Sequence, residues 1–248
     1  MSMRLLGLEF ADLDATQAAA FVAARPDHAP FAYVVTPNAD HLARLGRFPA
    51  LRPLYEGALV RLLDSRVVAG MGWALGIAVP SVAPGSDVTA LLLERHLRPG
   101  ERVTIVGLDP VFLPALVERA GIAWPAHCNP PMGFGEDPAD VAAAVDFVLA
   151  HPARFVFLAI GSPRQEALAL AIAATGRATG TGLCIGASLA FLAGAERRAP
   201  RWMQRIGLEW LFRLSRDPVR LWRRYVCDCP AVAPMLVRQR LGGRVGRR

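Results

Sequence analysis

The chain has 248 residues, 53% of them hydrophobic, enough for one large domain or one domain with an appendage. No run of about 18 apolar residues is free of charge, and the N-terminus turns acidic at Glu9, too early for a secretory signal. Neither a spanning helix nor export is therefore expected, and all 28 basic residues being arginine rules out lysine Schiff-base chemistry and a P-loop lysine.

In chain order, Asp12-Leu-Asp14 reads as a cap before a first helix. Five short apolar runs then end in turn or polar residues, and each reads as a buried strand. Phe31–Val35 leads into Thr36-Pro-Asn38, and Val60–Leu63 leads into Asp64. Val103–Val106 leads into Gly107-Leu-Asp-Pro110. Phe155–Ile160 leads into Gly161-Ser-Pro-Arg-Gln-Glu166, and Gly182–Ile185 leads into Gly186-Ala-Ser188. Helical patterns lie between them at Thr89–Leu97, Pro110–Ala120, Asp137–Leu149 and Gln165–Ala174. Asp137-Pro138 suits an N-cap followed by proline in the first turn. Alternating strands and helices predict an α/β fold: a Rossmann-like, mostly parallel sheet flanked by helices. Ligands of such sheets bind at the carboxyl ends of the strands, where the polar residues just named would converge.

Charge divides the chain. From Glu196 to Arg248, fourteen arginines face four acidic residues, a surplus of ten in a chain of net charge +7. Residues 1–195 are therefore slightly acidic and read as the α/β core; residues 196–248 read as a basic helical C-terminal appendage. Within it, Trp202, Trp210, Phe212, Trp222 and Tyr225 interleave with arginines. Arginine and tryptophan at helical spacing suit an interfacial helix on an anionic membrane surface; a core helix with a solvated basic face is the alternative. No nucleic-acid motif accompanies the charge, so nucleic acid is not an expected partner.

Several groups carry chemistry, each with a plain structural reading beside it. Thr36 and Asn38 supply uncharged hydrogen-bonding groups for phosphate or sugar, or form an ordinary turn. Asp64 suits a general base, or else caps a helix or pairs with an arginine. Ser162, Arg164 and Gln165 open a helix whose first N–H groups attract phosphate, or are a solvated helix start. Gly85-Ser86-Asp87 either approaches a nucleotide closely or is a loop with an N-cap. Gly107 begins half of a dinucleotide loop, but the full Gly-x-Gly-x-x-Gly is absent, which speaks against a Rossmann-type oxidoreductase. Cys128, Cys184, Cys227 and Cys229 lack the spacing of a disulfide framework or a zinc site, and the five histidines form no ligand pattern. His41 is read as structural or as lining the crevice. No Asp-x-Asp follows a strand, so no obligate metal or other cofactor is expected.

In combination these residues resemble the WecG/TagA/CpsF family, glycosyltransferase family 26. The resemblance is carried in order by Thr36-Pro-Asn-Ala-Asp-His-Leu42, Asp64, Gly85-Ser-Asp87, Gly161–Glu166, Gly186-Ala-Ser188 with Phe191-Leu-Ala-Gly194, Arg198-Ala-Pro-Arg-Trp-Met203 and Gly207–Arg213. It implies an inverting hexosyltransferase that moves a sugar, often of the N-acetylmannosamine type or glucose, from UDP to an undecaprenyl-diphosphate-linked saccharide. It also implies that Thr36, Asn38 and Gln165 lie around the donor, that Asp64 is the base, and that Arg213, Arg220, Arg223 and Arg224 meet the acceptor diphosphate. The donor site would extend to Gly85, Ser86, Asp87, Gly107, Ser162, Arg164 and Gly186. Such a protein would be cytoplasmic and peripheral on the inner face of the plasma membrane; homo-oligomerisation stays open. Ser65, Val82 and Ala190 stand where the family usually has Gly, Arg and Asp. These departures leave a non-catalytic nucleotide-sugar or lipid-binding partner of a polysaccharide assembly complex as the alternative.

Overall fold

A computed structural model describes residues 2–131, 133–195, 199–200, 202–203, 206, 208–216, 218–222 and 229–245. The chain opens with an antiparallel hairpin, β1 (Ser2–Leu5) and β2 (Leu8–Ala11), followed by α1 (Ala15–Ala23). Asp14 caps α1 by accepting from Gln17 N–H at 2.8 Å, and the Gln17 side chain returns to the Asp14 N–H. Next come β3 (Ala32–Val35), α2 (Ala39–Arg47), α3 (Arg52–Glu56), β4 (Val60–Arg61), α4 (Arg66–Ala74) and α5 (Gly85–Leu91). The second half contains β5 (Thr104–Gly107), α6 (Leu113–Ala120), β6 (Ala126–Cys128), α7 (Pro138–Ala150), β7 (Phe155–Ala159), α8 (Arg164–Ala174), β8 (Thr181–Cys184) and α9 (Ser188–Ala193). In the C-terminal region lie α10 (Glu209–Arg216), α11 (Pro218–Trp222) and α12 (Val232–Val245).

Six strands form one all-parallel sheet in the order β4-β3-β8-β7-β5-β6. All five apolar runs read from the sequence lie in it. Alternate strand residues serve opposite faces, as pleating requires. Tyr33, Val35, Val106, Val156, Leu158 and Cys184 pack toward α2, α3, α4, α7 and α8. Val34, Ile105, Phe155, Phe157 and Leu183 pack toward α1, α5, α6 and α9. Both faces are thus covered, which is why these strands read as continuous apolar runs rather than as alternating ones.

One helix begins earlier than the sequence expectation. The helix expected from Thr89 begins at Gly85, so Gly85-Ser-Asp87 is its first turn, and it ends in a π-helical turn at Leu92–His96. The C-terminal region packs in part on the core. Val232 and Leu236 of α12 are fully buried in the same cluster as Leu42 and Val68, and Gln239 accepts from the Leu6 N–H at 2.7 Å. By contrast, Trp202, Ile206, Val219 and Trp222 are exposed. Among the described residues, no helix is long and apolar enough to cross a membrane.

Candidate functional site

Every parallel strand delivers its following loop to one edge of the sheet. After β5 the chain turns outward to β6; after β7 it turns the other way, to β8. The carboxyl ends of β5 and β7 therefore flank a topological switch point, where an open α/β sheet leaves a crevice. A cleft of about 450 Å³ lies there, lined by Leu108, Asp109, Phe112, Gly161, Gly186 and Ala190 among others. Its volume falls within the range of small-ligand sites. The walls contributed by Gly161 and Gly186 are open: both have positive φ, and a Cβ at either would meet nothing within 4 Å.

Beside the cleft, toward the β4 edge, three segments distant in sequence meet. Asp64 follows β4 and is half-buried; its N–H donates to Pro37 O at 3.0 Å. Leu63 pairs in parallel with Val82, and Ala83 N–H donates to Leu63 O. That pairing carries Pro84 and the start of α5 over Asp64, whose Oδ2 accepts from the Gly85 N–H at 3.2 Å. Thr36 donates to Cys184 O at 3.4 Å and lies so close to Gly85 that a Cβ there would be 2.8 Å from Oγ1. A carboxylate, a hydroxyl and a helix start thus share one corner. Ser65, not Asp64, caps α4 by accepting from Val68 N–H. Ser86 and Asp87 stand half-exposed in the first turn of α5.

A second network joins this corner to the cleft. Gln165 is 2% exposed and its amide bridges two loops. Its Oε1 accepts from the Gly186 N–H at 3.0 Å, and its Nε2 donates to Glu166 Oε1 at 2.9 Å. Glu166 is fully buried, and burial raises its pKa above the usual carboxylate value. Burial likewise raises the Cys184 thiol beneath this loop, so it lacks the thiolate character of a nucleophile. Ser162 accepts from Arg44 Nη1 at 3.3 Å and shares a 3.0 Å hydrogen bond with the Tyr55 hydroxyl. Arg44 also pairs with Asp40 at 2.7 Å.

The sequence-derived site residues separate on this geometry. Thr36 and Asp64 both meet Gly85, and Ser162 and Gly186 on loops, with Gln165 in the first turn of α8, lie beside them. Asn38 uses its carbonyl to cap α2, accepting from Asp40 N–H at 3.0 Å and His41 N–H at 3.3 Å. Gly107 does not face the cleft as an open wall: a Cβ there would lie 2.7 Å from the Ala159 backbone, so its role in the fold is close approach of β5 to β7. Arg164 is half-exposed and leans toward Glu136, 4.0 Å away. Arg213 falls in α10 and Arg220 in α11, whereas Arg223 and Arg224 lie outside the described residues. Sequence reading missed Arg44 and Asp109. The i,i+4 spacing of Asp40 and Arg44 was visible, but the approach of Arg44 to Ser162 depends on how α2 and α8 sit on the sheet. Among the described residues, no three His, Cys, Asp or Glu side chains are grouped as metal ligands.

Fold and site together define an α/β protein of one parallel sheet, with its ligand cleft at a topological switch point and a polar corner beside it. Residues 3–246 match the family model described as the glycosyl transferase WecG/TagA/CpsF family, and the chain belongs to that family. Membership implies a transferase with a sugar donor and an acceptor, acting in the biosynthesis of cell-surface polymers.

Proposed function

We propose that the protein transfers a hexose or N-acetylmannosamine-type sugar, with inversion, from UDP to an undecaprenyl-diphosphate-linked saccharide. The observation that carries this reading is the corner where Asp64, Thr36 and Gly85 meet, adjacent to a nucleotide-sized cleft. The donor then lies across the tops of the strands. Its nucleoside fills the cleft over β5, β7 and β8, its diphosphate runs along the Gly161–Gln165 loop, and its sugar reaches the Asp64 corner. Arg44, already on Ser162, and the N–H groups at the start of α8 supply positive potential for the diphosphate.

The chemistry is a single displacement. The acceptor hydroxyl oxygen forms a bond to the anomeric carbon while the bond from that carbon to the β-phosphate oxygen breaks. The hydroxyl proton passes to the Asp64 carboxylate, and UDP leaves with the bonding pair. The Gly85 N–H on Oδ2 fixes the carboxylate's orientation. The basic C-terminal region, with exposed Trp202, Ile206, Val219 and Trp222, suits attachment to the anionic cytoplasmic face of the membrane, where a lipid-linked acceptor resides. Arg213, Arg220, Arg223 and Arg224 are then available to the acceptor diphosphate.

Asp64→Asn tests the base. Transfer should fall by roughly 10²–10⁴-fold while UDP binding and thermal stability are kept. Wild-type turnover in a folded variant would contradict the assignment. Binding of UDP-sugars by the wild type without transfer from any donor would instead favour the non-catalytic partner.

A further inference from the structure

The loop after β5 has an unusual backbone that the catalytic corner does not use. Gly107 has φ +96° and the next residue, Leu108, has φ +71°. A left-handed leucine is uncommon and costs energy, so the surroundings must hold it. The neighbouring strand does so. His127 on β6 donates through Nε2–H to both Gly107 O, at 3.1 Å, and Leu108 O, at 2.9 Å. Both partners are carbonyls, so this nitrogen carries the proton. The two left-handed residues reverse the chain and bring Asp109 to the mouth of the cleft.

Asp109 is the only ionisable side chain among the described residues lining that cleft; the others are glycine, alanine, leucine and phenylalanine. Its Oδ1 accepts from the Val111 N–H at 3.0 Å, which fixes the carboxylate. Oδ2 takes part in no hydrogen bond among the described residues. We propose that Asp109 is the specificity residue for the donor's nucleoside, its Oδ2 accepting a hydrogen bond from a ribose hydroxyl. His127 is the positioning residue that holds the strained turn behind it. The inference rests on the reading of the cleft as the nucleotide site. A carboxylate at the end of a parallel strand beside a switch point is well placed for a ribose, because the diphosphate must lie nearer the loop after β7. The small residues opposite leave width for the ring system, and the Phe112 ring lines the same wall.

Titration calorimetry with UDP, 2′-deoxy-UDP, 3′-deoxy-UDP and inorganic pyrophosphate tests this on the full chain. The wild type should bind UDP more tightly than at least one deoxy analogue, by roughly 10- to 100-fold, as loss of a charged hydrogen bond predicts. Asp109→Ala should weaken UDP binding by a similar factor, leave pyrophosphate binding unchanged, and bind UDP and the deoxy analogues equally. Asp109→Asn, which keeps an acceptor oxygen, should recover part of the loss. In transfer assays Asp109→Ala should raise the donor KM with kcat little changed, whereas Asp64→Asn lowers kcat. Undiminished discrimination against the deoxy analogues in Asp109→Ala would overturn the inference while leaving the donor reading intact. A wild type that binds pyrophosphate but not UDP would overturn the nucleotide reading itself.

Discussion

Glu166 anchors the network between the cleft and the Asp64 corner. Its carboxyl is fully buried and accepts from Gln165, which in turn holds the Gly186 N–H. Burial raises its pKa above the ordinary 4.5, so the folded protein holds this proton to higher pH than the unfolded chain does. Below 4.5 both states are protonated and the stability associated with the neutral group is fully present; it is lost as pH rises through the folded value. Glu166→Gln keeps an acceptor oxygen for Gln165 and removes the titration. The melting temperature of the variant relative to the wild type should therefore climb as pH rises above 4.5. A difference independent of pH would contradict the account.

The individual residues of the site were unequally legible. Asp64 and Thr36 could be found because each directly follows an apolar run, and in a parallel sheet that position alone delivers them to the ligand edge. Gly161–Glu166 was legible for the same reason, but the inward turn of Gln165 was not. Its partner Gly186 belongs to another strand's loop, and only strand order makes them neighbours. Asp109 was hidden more deeply: Gly107-Leu-Asp-Pro110 reads as an incomplete dinucleotide loop, and nothing local reveals the left-handed leucine or the histidine on the adjoining strand that secures it.

At the scale of elements, strands with β-branched and aromatic residues were readable and others were not. Ala126-His-Cys128 has no β-branched residue, yet it forms β6 because its backbone pairs with β5 at the sheet edge. The β1–β2 hairpin escaped because the turn between its strands contains Leu6, at φ +50°, before Gly7, and leucine gives no turn signal. The start of α5 was read too late because glycine and serine resemble a loop. Asp64, reached only through the Leu63–Val82 pairing, supplies the acceptor for its first N–H.

The C-terminal elements bear on how membrane association must be measured. Deleting residues 196–248 removes α12, and with it Val232 and Leu236 from the core, so that deletion confounds folding with lipid binding. Charge substitution separates the two. With Arg213, Arg220, Arg223 and Arg224 all changed to Gln, sedimentation with vesicles containing anionic lipid should weaken markedly, while the melting temperature stays near that of the wild type. Binding of the wild type should also weaken with added salt, because a Debye length of about 8 Å at physiological ionic strength screens such contacts. Undiminished sedimentation of the variant would refute an electrostatic membrane role for these arginines.

Across the whole molecule, one sheet does two jobs. Its buried faces hold the two helical layers, and its carboxyl edge gathers Thr36, Asp64, Gly85, Asp109, Ser162 and Gly186 along a line from the Asp64 corner to the cleft over β5 and β7. The central claim is that this line holds a nucleotide sugar and hands the sugar to a lipid-linked acceptor. The most direct measurement is the mass of the lipid product after incubation with a panel of UDP-sugars and a short-chain polyprenyl-diphosphate saccharide. The account predicts, with at least one donor, an acceptor heavier by one hexosyl or N-acetylhexosaminyl residue, with UDP released in equal amount and both products formed roughly 10²–10⁴-fold more slowly by Asp64→Asn. UDP release without any gain in acceptor mass, or no reaction from any donor, would contradict it.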